Sequence, residues 1–98
     1  MTMQIKVSEL VRYGSLPRAD EAEPEFLEGF QSLLLDVVRP VTDEEAIELT
    51  KLLGPDDCYG IAWTLVHIIE EAPGWPLKQA ILAAPAEWAG VLDSRSAS

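Results

Sequence analysis

The sequence predicts an all-α fold: a compact bundle of about five short helices, or stacked helical hairpins that include HEAT-like pairs. Two observations predict it. Proline and glycine divide the 98 residues into pieces of helical length, and apolar residues recur every three to four positions within each piece. The β-branched run around Val41 contains Pro40, which argues against a strand. Because a chain this short has surface for one modest core, we expect a single domain over residues 1–98.

The first two predicted helices cover residues 7–13 and 24–38, with a polar linker over residues 15–23 between them. Gly14 is a stop signal for the first helix. In the second, Pro24 is tolerated in the first turn and Pro40 ends the helix. Its helical spacing predicts one apolar side, made of Phe26, Leu27, Phe30, Leu33, Leu34, Val37 and Val38.

The third predicted helix covers residues 43–53 and has the clearest local start signal. Thr42 is followed three residues later by Glu45, the spacing of a capping box, and Gly54 and Pro55 form the stop. The spacing turns Ala46, Leu49 and Leu53 inward. It turns four charged residues toward solvent, namely Glu44, Glu45, Glu48 and Lys51.

The fourth and fifth predicted helices cover residues 58–71 and 76–84, and a last short turn over residues 86–92 precedes a frayed tail over residues 93–98. Asp56 or Asp57 is the expected cap of the fourth helix, and Pro73 with Gly74 breaks it. The fourth helix is apolar on most of its circumference, which places it at the centre of the fold. Within it, Gly60 costs about 1 kcal/mol relative to alanine, so we expect another chain segment to approach closely there.

The chain shows no constellation of catalytic residues. Cys58 lies among apolar neighbours and is interpreted as a buried reduced thiol. His67 is four residues from Glu71, a spacing that allows a hydrogen bond, but no nucleophile and no zinc-ligand spacing accompany it. We interpret His67 as a structural or interface residue, and we expect a protein that is not an enzyme and needs no cofactor or metal.

Composition narrows the expected location and partners. No apolar run approaches the roughly 18 residues needed to cross a bilayer, and the first residues lack the features of a secretory signal, so we expect a cytoplasmic protein. The net charge is −10, and residues 19–71 hold fourteen acidic against two basic residues. Such a surface disfavours nucleic acid and membrane as partners and favours a basic protein. The alternative is that the acidity only keeps a small domain soluble.

Two features near the end of the fourth helix bear on an interface. Glu70 and Glu71 lie at the C-terminal end of the fourth predicted helix, where acidic residues interact unfavourably with the helix dipole. Either a partner requires negative charge at this position, or the small loss of helix stability is simply tolerated. Trp75 and Trp88 lie near loop or helix ends, and each is interpreted as a core residue more readily than as an interface residue.

The segment DDCYGIAWTLVHIIE resembles the central helix of small all-helical immunity proteins of bacterial polymorphic-toxin and contact-dependent inhibition systems. The positions that match are Asp57, Gly60, His67 and Glu70. The resemblance implies a cytoplasmic protein that binds a cognate toxin domain, encoded beside it, and neutralises it. Many such toxins are nucleases with basic clefts, which fits the acidic surface predicted here.

The sequence therefore predicts an immunity protein that binds a basic toxin domain through an acidic surface. The alternative is a helical adaptor or regulatory subunit that assembles through its apolar faces, as a homodimer or with another helical protein. The expected partner-binding residues are Glu44, Glu45, Glu48, Asp56, Asp57, His67, Glu70, Glu71 and Trp75.

Overall fold

In the computed structural model, which describes residues 3–96, six α-helices and one 3₁₀ turn account for the regular structure, and these residues contain no strand. The all-α prediction is confirmed. The elements are α1 (Ile5–Tyr13), the 3₁₀ turn (Ala19–Glu21), α2 (Pro24–Leu35), α3 (Asp43–Thr50), α4 (Ile61–Glu70), α5 (Lys78–Ala83) and α6 (Ala86–Ser96).

Two antiparallel hairpins form the centre of the fold. The first consists of α1 and α2, which pack against each other. At the turn between them, the Tyr13 hydroxyl at the end of α1 donates to the Phe26 carbonyl at the start of α2 over 2.9 Å. The second pairs α3 with α4, since the Gly74 N–H that follows α4 donates to Asp43 at the start of α3 over 2.8 Å. Helix α1 packs against α3, so the hairpins stack. Helix α5 packs against α3, and α6 packs against α5 and also contacts α4. The structure agrees with the predicted compact bundle of short helices.

The core runs between the two hairpins. Leu10 from α1, Phe30 from α2, Leu49 from α3 and Leu65 from α4 are each fully buried. Trp88 is also buried, at 5% exposure, and its ring lies edge-on to that of Trp63 at 5.1 Å. Burial of these side chains supplies most of the driving force for folding.

Helix ends account for most differences from the prediction. Helix α2 ends at Leu35, three residues early, and the backbone of Val38 is held instead by the side chain of Gln4. As a result Val38, predicted to face inward, is 70% exposed. Helix α3 ends at Thr50 and not at residue 53. The linker over residues 15–23 packs against the rest of the fold through Leu16. The Leu16 side chain is buried, and its backbone N–H donates to the Leu52 carbonyl.

The largest difference lies at the start of α4. The helix begins at Ile61, so neither Asp56 nor Asp57 is its cap, and Gly60 occupies the N-cap position with φ of +88°. No atom lies within 4 Å of a β-carbon placed on Gly60, so the expected close approach is absent and the glycine serves the left-handed backbone. At the other end of the chain, α6 continues through Ser96, four residues beyond the prediction; positions 97 and 98 of the predicted tail lie outside the described residues.

Gly60 permits a test of this boundary. We expect Gly60→Ala to destabilise the protein by about 1 kcal/mol, because a β-carbon is strained in the left-handed region. Gly90→Ala is the matched control: Gly90 lies inside α6 with open space around it, so alanine there is expected to stabilise by roughly 0.5 to 1 kcal/mol. Urea unfolding measures both. A stabilised Gly60→Ala variant would place Gly60 inside a helix and contradict this description.

Candidate partner-binding surface

The predicted partner-binding residues do not form one surface. Because α3 and α4 are antiparallel, Glu44 at the start of α3 lies near Glu71 at the end of α4, whereas Asp56 and Asp57 lie in the loop at the opposite end of the hairpin. Eight helical residues span about 12 Å, so the two groups are well separated. Their surroundings also differ, and most of the predicted residues are engaged within the protein.

Glu45 is buried, at 3% exposure, so the prediction that it faces solvent is wrong. One carboxylate oxygen accepts the Thr42 N–H at 2.8 Å, which completes the predicted capping box, and the other accepts the Gln4 N–H at 2.7 Å. Burial by itself raises the pKa of the Glu45 carboxyl, but the hydrogen bonds from Thr42 and Gln4 outweigh it, and the pKa lies below its ordinary value. Glu45 therefore ties α1 to α3.

The two acids at the end of α4 have internal partners. Arg95 of α6 holds Glu70 through two hydrogen bonds, of 2.6 and 2.7 Å. Arg39, in the connection between α2 and α3, donates to Glu71 over 2.6 Å, and this hydrogen bonding lowers the pKa of the Glu71 carboxyl. The sequence spacing allows a hydrogen bond from His67 to Glu71, but the observed donor to Glu71 is Arg39. Both acids interact unfavourably with the helix dipole, and their pairing with Arg95 and Arg39 is enough to explain why they occur at this helix end.

Two more of the predicted residues are engaged inside the chain. Glu48 is half-buried and pairs with Lys51 at 2.7 Å on the same helix. Asp56 accepts the N–H groups of Ala19, at 3.1 Å, and of Cys58, at 2.9 Å, so it joins the 3₁₀ turn to the loop before α4. Both carboxylates thus have partners within the chain.

Of the remaining residues, Glu44, Asp57 and His67 are exposed and Trp75 is half-buried. Trp75 packs against the core, in agreement with its interpretation as a core residue. The backbone N–H of Trp75 donates to the Ala72 carbonyl. Trp88 is likewise buried. Glu44 and Asp57 are therefore the two predicted acids that face solvent with no ion pair among the described residues.

The loop between α3 and α4 contains an exposed aromatic residue that the sequence interpretation placed inside a helix. Tyr59 is 72% exposed, and its hydroxyl donates to the Ala19 carbonyl over 3.0 Å, so its ring lies across the 3₁₀ turn. Three exposed acids lie in the 3₁₀ turn and in the loop between α3 and α4. We call this group, which consists of Asp20, Glu21, Asp57 and Tyr59, the Tyr59 surface.

The backbone that carries the Tyr59 surface is strained. Cys58 and Tyr59 have φ of +46° and +58°, a region that residues with a β-carbon rarely adopt, and Gly60 follows with +88°. Such conformations persist where surrounding contacts determine them, and they concentrate at functional sites. Here the hydrogen bonds of Asp56 and of the Tyr59 hydroxyl hold the loop. The turn-forming sequence GPDDCYG is the signal that identifies this loop.

The charge of the Tyr59 surface is negative. Arg18 is the neighbouring cation, and it pairs with Asp20 at 3.0 Å and with Glu21 at 3.7 Å. Asp56 lies directly beneath the surface, and Asp57 has no cationic partner among the described residues. Carboxylates therefore outnumber cations around an exposed tyrosine ring, an arrangement suited to a basic partner.

The same loop contains the cysteine of the chain. Cys58 is fully buried, as predicted, and burial raises its pKa, with a further rise from the carboxylates of Asp56 and Asp57. The described residues contain no group of three or more His, Cys, Asp or Glu side chains placed to hold a metal ion. Among those residues there is also no helix long and apolar enough to cross a bilayer.

Comparison of the chain with protein-family models, with curated proteins and with solved structures gives no match.

Proposed function

We propose that the protein is an immunity protein, which remains in the cytoplasm, binds a cognate toxin domain through the Tyr59 surface and neutralises it. The observation that carries the proposal is an exposed tyrosine in a loop with left-handed backbone, hydrogen-bonded to the 3₁₀ turn, with exposed acids in both segments. The resemblance of residues 56–70 to the central helix of immunity proteins supports it. This function is one of binding, and it requires no cofactor.

The geometry of the Tyr59 surface favours protein recognition for two reasons. A tyrosine ring offers a large contact area with few rotatable bonds, and tyrosine is enriched among the residues that dominate binding energy. The hydrogen bond to Ala19 and the left-handed backbone orient the ring before a partner arrives, which reduces the entropy lost on binding. Carboxylates around the ring would then attract a basic cleft over a distance.

Tyr59→Ala is expected to weaken binding of the toxin domain by about 30-fold, the effect of removing one dominant interface residue. Tyr59→Phe keeps the ring but loses the hydrogen bond to Ala19 that orients it, so it should weaken binding less than Tyr59→Ala does. Leu82→Ala is the control, because Leu82 is 75% exposed on α5, which is remote from this loop in the chain. Surface-binding kinetics with the toxin domain encoded beside this chain measures all three. Equal affinity of Tyr59→Ala and wild type would exclude the Tyr59 surface as the contact.

Charge reversal tests the electrostatic part of the proposal. We expect Asp57→Lys to slow association and to flatten its dependence on salt, because exposed charges are screened beyond about 8 to 10 Å at ordinary ionic strength. Glu44→Lys is the matched control, an equally unpaired acid at the other end of the hairpin. A strong effect of Glu44→Lys with none of Asp57→Lys would place the contact at the start of α3. Association indifferent to salt would mean that the acidity serves solubility.

The second candidate function is a helical adaptor that assembles through apolar surface, and three exposed aliphatic side chains at one end of the first hairpin favour it: Ile5, Leu35 and Val38. Gene order separates the two functions. A neighbouring gene for a large secreted protein with a variable C-terminal domain supports immunity, whereas an operon of metabolic or regulatory genes supports the adaptor.

A further inference from the structure

The Tyr59 surface has a cation of its own chain among its carboxylates. Residues 18–23 and 56–59 together contain five acidic residues and one basic residue, Arg18. The Arg18 Nη2 donates to Asp20 over 3.0 Å, and the Arg18 Nε lies 3.7 Å from a Glu21 carboxylate oxygen. Arg18 is therefore paired with two of the exposed acids of the surface, and the two segments remain strongly negative.

Arg18 is also next in the chain to the residue that holds the tyrosine. The Tyr59 hydroxyl donates to the carbonyl of Ala19, which lies between Arg18 and Asp20 in the sequence. Tyr59 is 72% exposed, so most of its ring is open to a partner. Guanidinium groups pair with carboxylates and also stack on aromatic rings. The Tyr59 surface thus offers, in one place, both kinds of group that an arginine side chain binds.

The two ion pairs of Arg18 are weak. All three side chains are more than half exposed, at 57% for Arg18 and 66% for both Asp20 and Glu21. Ion pairs at such exposure contribute little to stability, because water and salt screen the charges and flexible side chains must be ordered to form them. Neither carboxylate has another ion pair among the described residues. Displacement of Arg18 therefore costs the fold little and frees both acids.

We propose, on the basis of the function proposed above, that Arg18 competes with the partner. Its guanidinium occupies the position at Asp20 and Glu21 that an arginine of the toxin domain takes in the complex, and it is displaced when the domain binds. The arginine of the partner gains the same two carboxylates together with the exposed ring of Tyr59 and the exposed acid Asp57. These additional contacts favour the partner's arginine over Arg18.

Competition of this kind lowers affinity and raises specificity. Only the fraction of molecules in which Arg18 has left the two carboxylates can accept the partner's arginine, so the apparent affinity is reduced by that fraction. A chain with a net charge of −10 attracts cationic proteins in general. A protein that offers only one cation gains little over Arg18, whereas a partner that also covers the Tyr59 ring gains more. Arg18 therefore discriminates against weakly basic proteins.

Titration with a tetra-arginine peptide, followed by the amide NMR signal of Tyr59, tests the competition. We expect Arg18→Gln to bind the peptide about 3- to 5-fold more tightly than wild type, the range that corresponds to the loss of exposed ion pairs. Arg18→Lys keeps a cation at the position and should bind like wild type. Arg39→Gln is the matched control, because it also removes the arginine of an exposed pair, with Glu71, but at the opposite end of the α3–α4 hairpin. It should leave the affinity unchanged.

Binding of the toxin domain to the same variants separates this proposal from the immunity function. Tighter binding by Arg18→Gln than by wild type and Arg39→Gln supports the competition. Unchanged or weaker binding by Arg18→Gln would overturn it, and so would an equal gain in Arg39→Gln, which would show an effect of net charge alone. If wild type does not bind the toxin domain, the immunity function is contradicted, and the peptide titration alone decides the role of Arg18. Thermal unfolding confirms that each variant is folded, and Arg18→Ser replaces Arg18→Gln if that variant is not.

Discussion

Leu65→Ala is expected to lower the free energy of unfolding by about 2 to 5 kcal/mol. Leu65 lies in the middle of α4 and is fully buried among the side chains of the core cluster. Truncation removes three carbons from a close-packed interior and leaves a cavity that surrounding helices only partly fill. Because α4 pairs with α3 along its length, we expect the whole fold to weaken and not one element alone.

Urea unfolding followed by circular dichroism measures this loss. Leu82→Ala is the control for the same chemical change, because Leu82 is 75% exposed and its truncation should alter stability by less than about 0.5 kcal/mol. Similar small losses for both variants would show that α4 is peripheral.

Glu45→Ala is expected to cost about 2 to 4 kcal/mol at neutral pH, an effect comparable to that of a core truncation. The substitution removes the acceptor for the N–H groups of Thr42 and Gln4, in a place where Glu45 is only 3% exposed. The capping box of α3 and the tie to α1 are lost together. Glu44→Ala is the matched control on the neighbouring residue: Glu44 is exposed and unpaired, so its removal should change stability by less than about 0.5 kcal/mol.

The effect of Glu45→Ala should depend on pH in a defined direction. The pKa of Glu45 in the folded protein lies below its unfolded value of about 4.3, so the stabilisation is complete above that pH and is lost as pH falls through the folded pKa. Unfolding free energies of wild type and variant should therefore converge in acid. A difference that stays constant from neutral pH down through that range would show that the carboxylate charge is not the stabilising feature.

Local signals in the sequence predicted the structure well where a few neighbouring residues decide the outcome. The capping box of Thr42 and Glu45 is an example, because both of its hydrogen bonds join residues three apart. The amphipathic pattern of α2 is another: Phe30 and Leu34 are buried and Phe26 packs against the core, as predicted. Periodicity predicted five of the helices within a few residues of their observed positions, apart from the ends described above, but it predicted only a short turn where α6 lies.

Features that depend on distant residues were not predictable in this way. Helical spacing predicts that Glu45 faces solvent. In the structure Glu45 is buried, and its carboxylate accepts a hydrogen bond from Gln4, the N-cap residue of α1, which is 41 residues away in the chain. Glu70 and Glu71 looked available to a partner because Arg95 and Arg39 are far from them in the chain. An ion pair between distant residues leaves no periodic pattern.

The Tyr59 surface was missed for a different reason. The helical pattern of α4 extends back through residues 58–60, because cysteine and tyrosine fit it, and it therefore predicts that Gly60 lies inside the helix. The left-handed backbone at residues 58–60 makes Gly60 the boundary instead. Gly60 ends the segment GPDDCYG, and a glycine in such a turn-forming segment is better interpreted as the end of a turn than as a residue inside a helix.

The proposed immunity function requires a toxin domain encoded beside this chain, and neutralisation of that domain is the most direct test of the proposal. The toxin domain is expressed from an inducible promoter in bacteria, alone or with wild-type chain, Tyr59→Ala or Leu82→Ala, and growth is followed. Wild type and Leu82→Ala are expected to restore growth, and Tyr59→Ala is expected to restore it less at equal protein level. Growth that remains arrested in the presence of abundant folded wild-type chain would contradict the proposal.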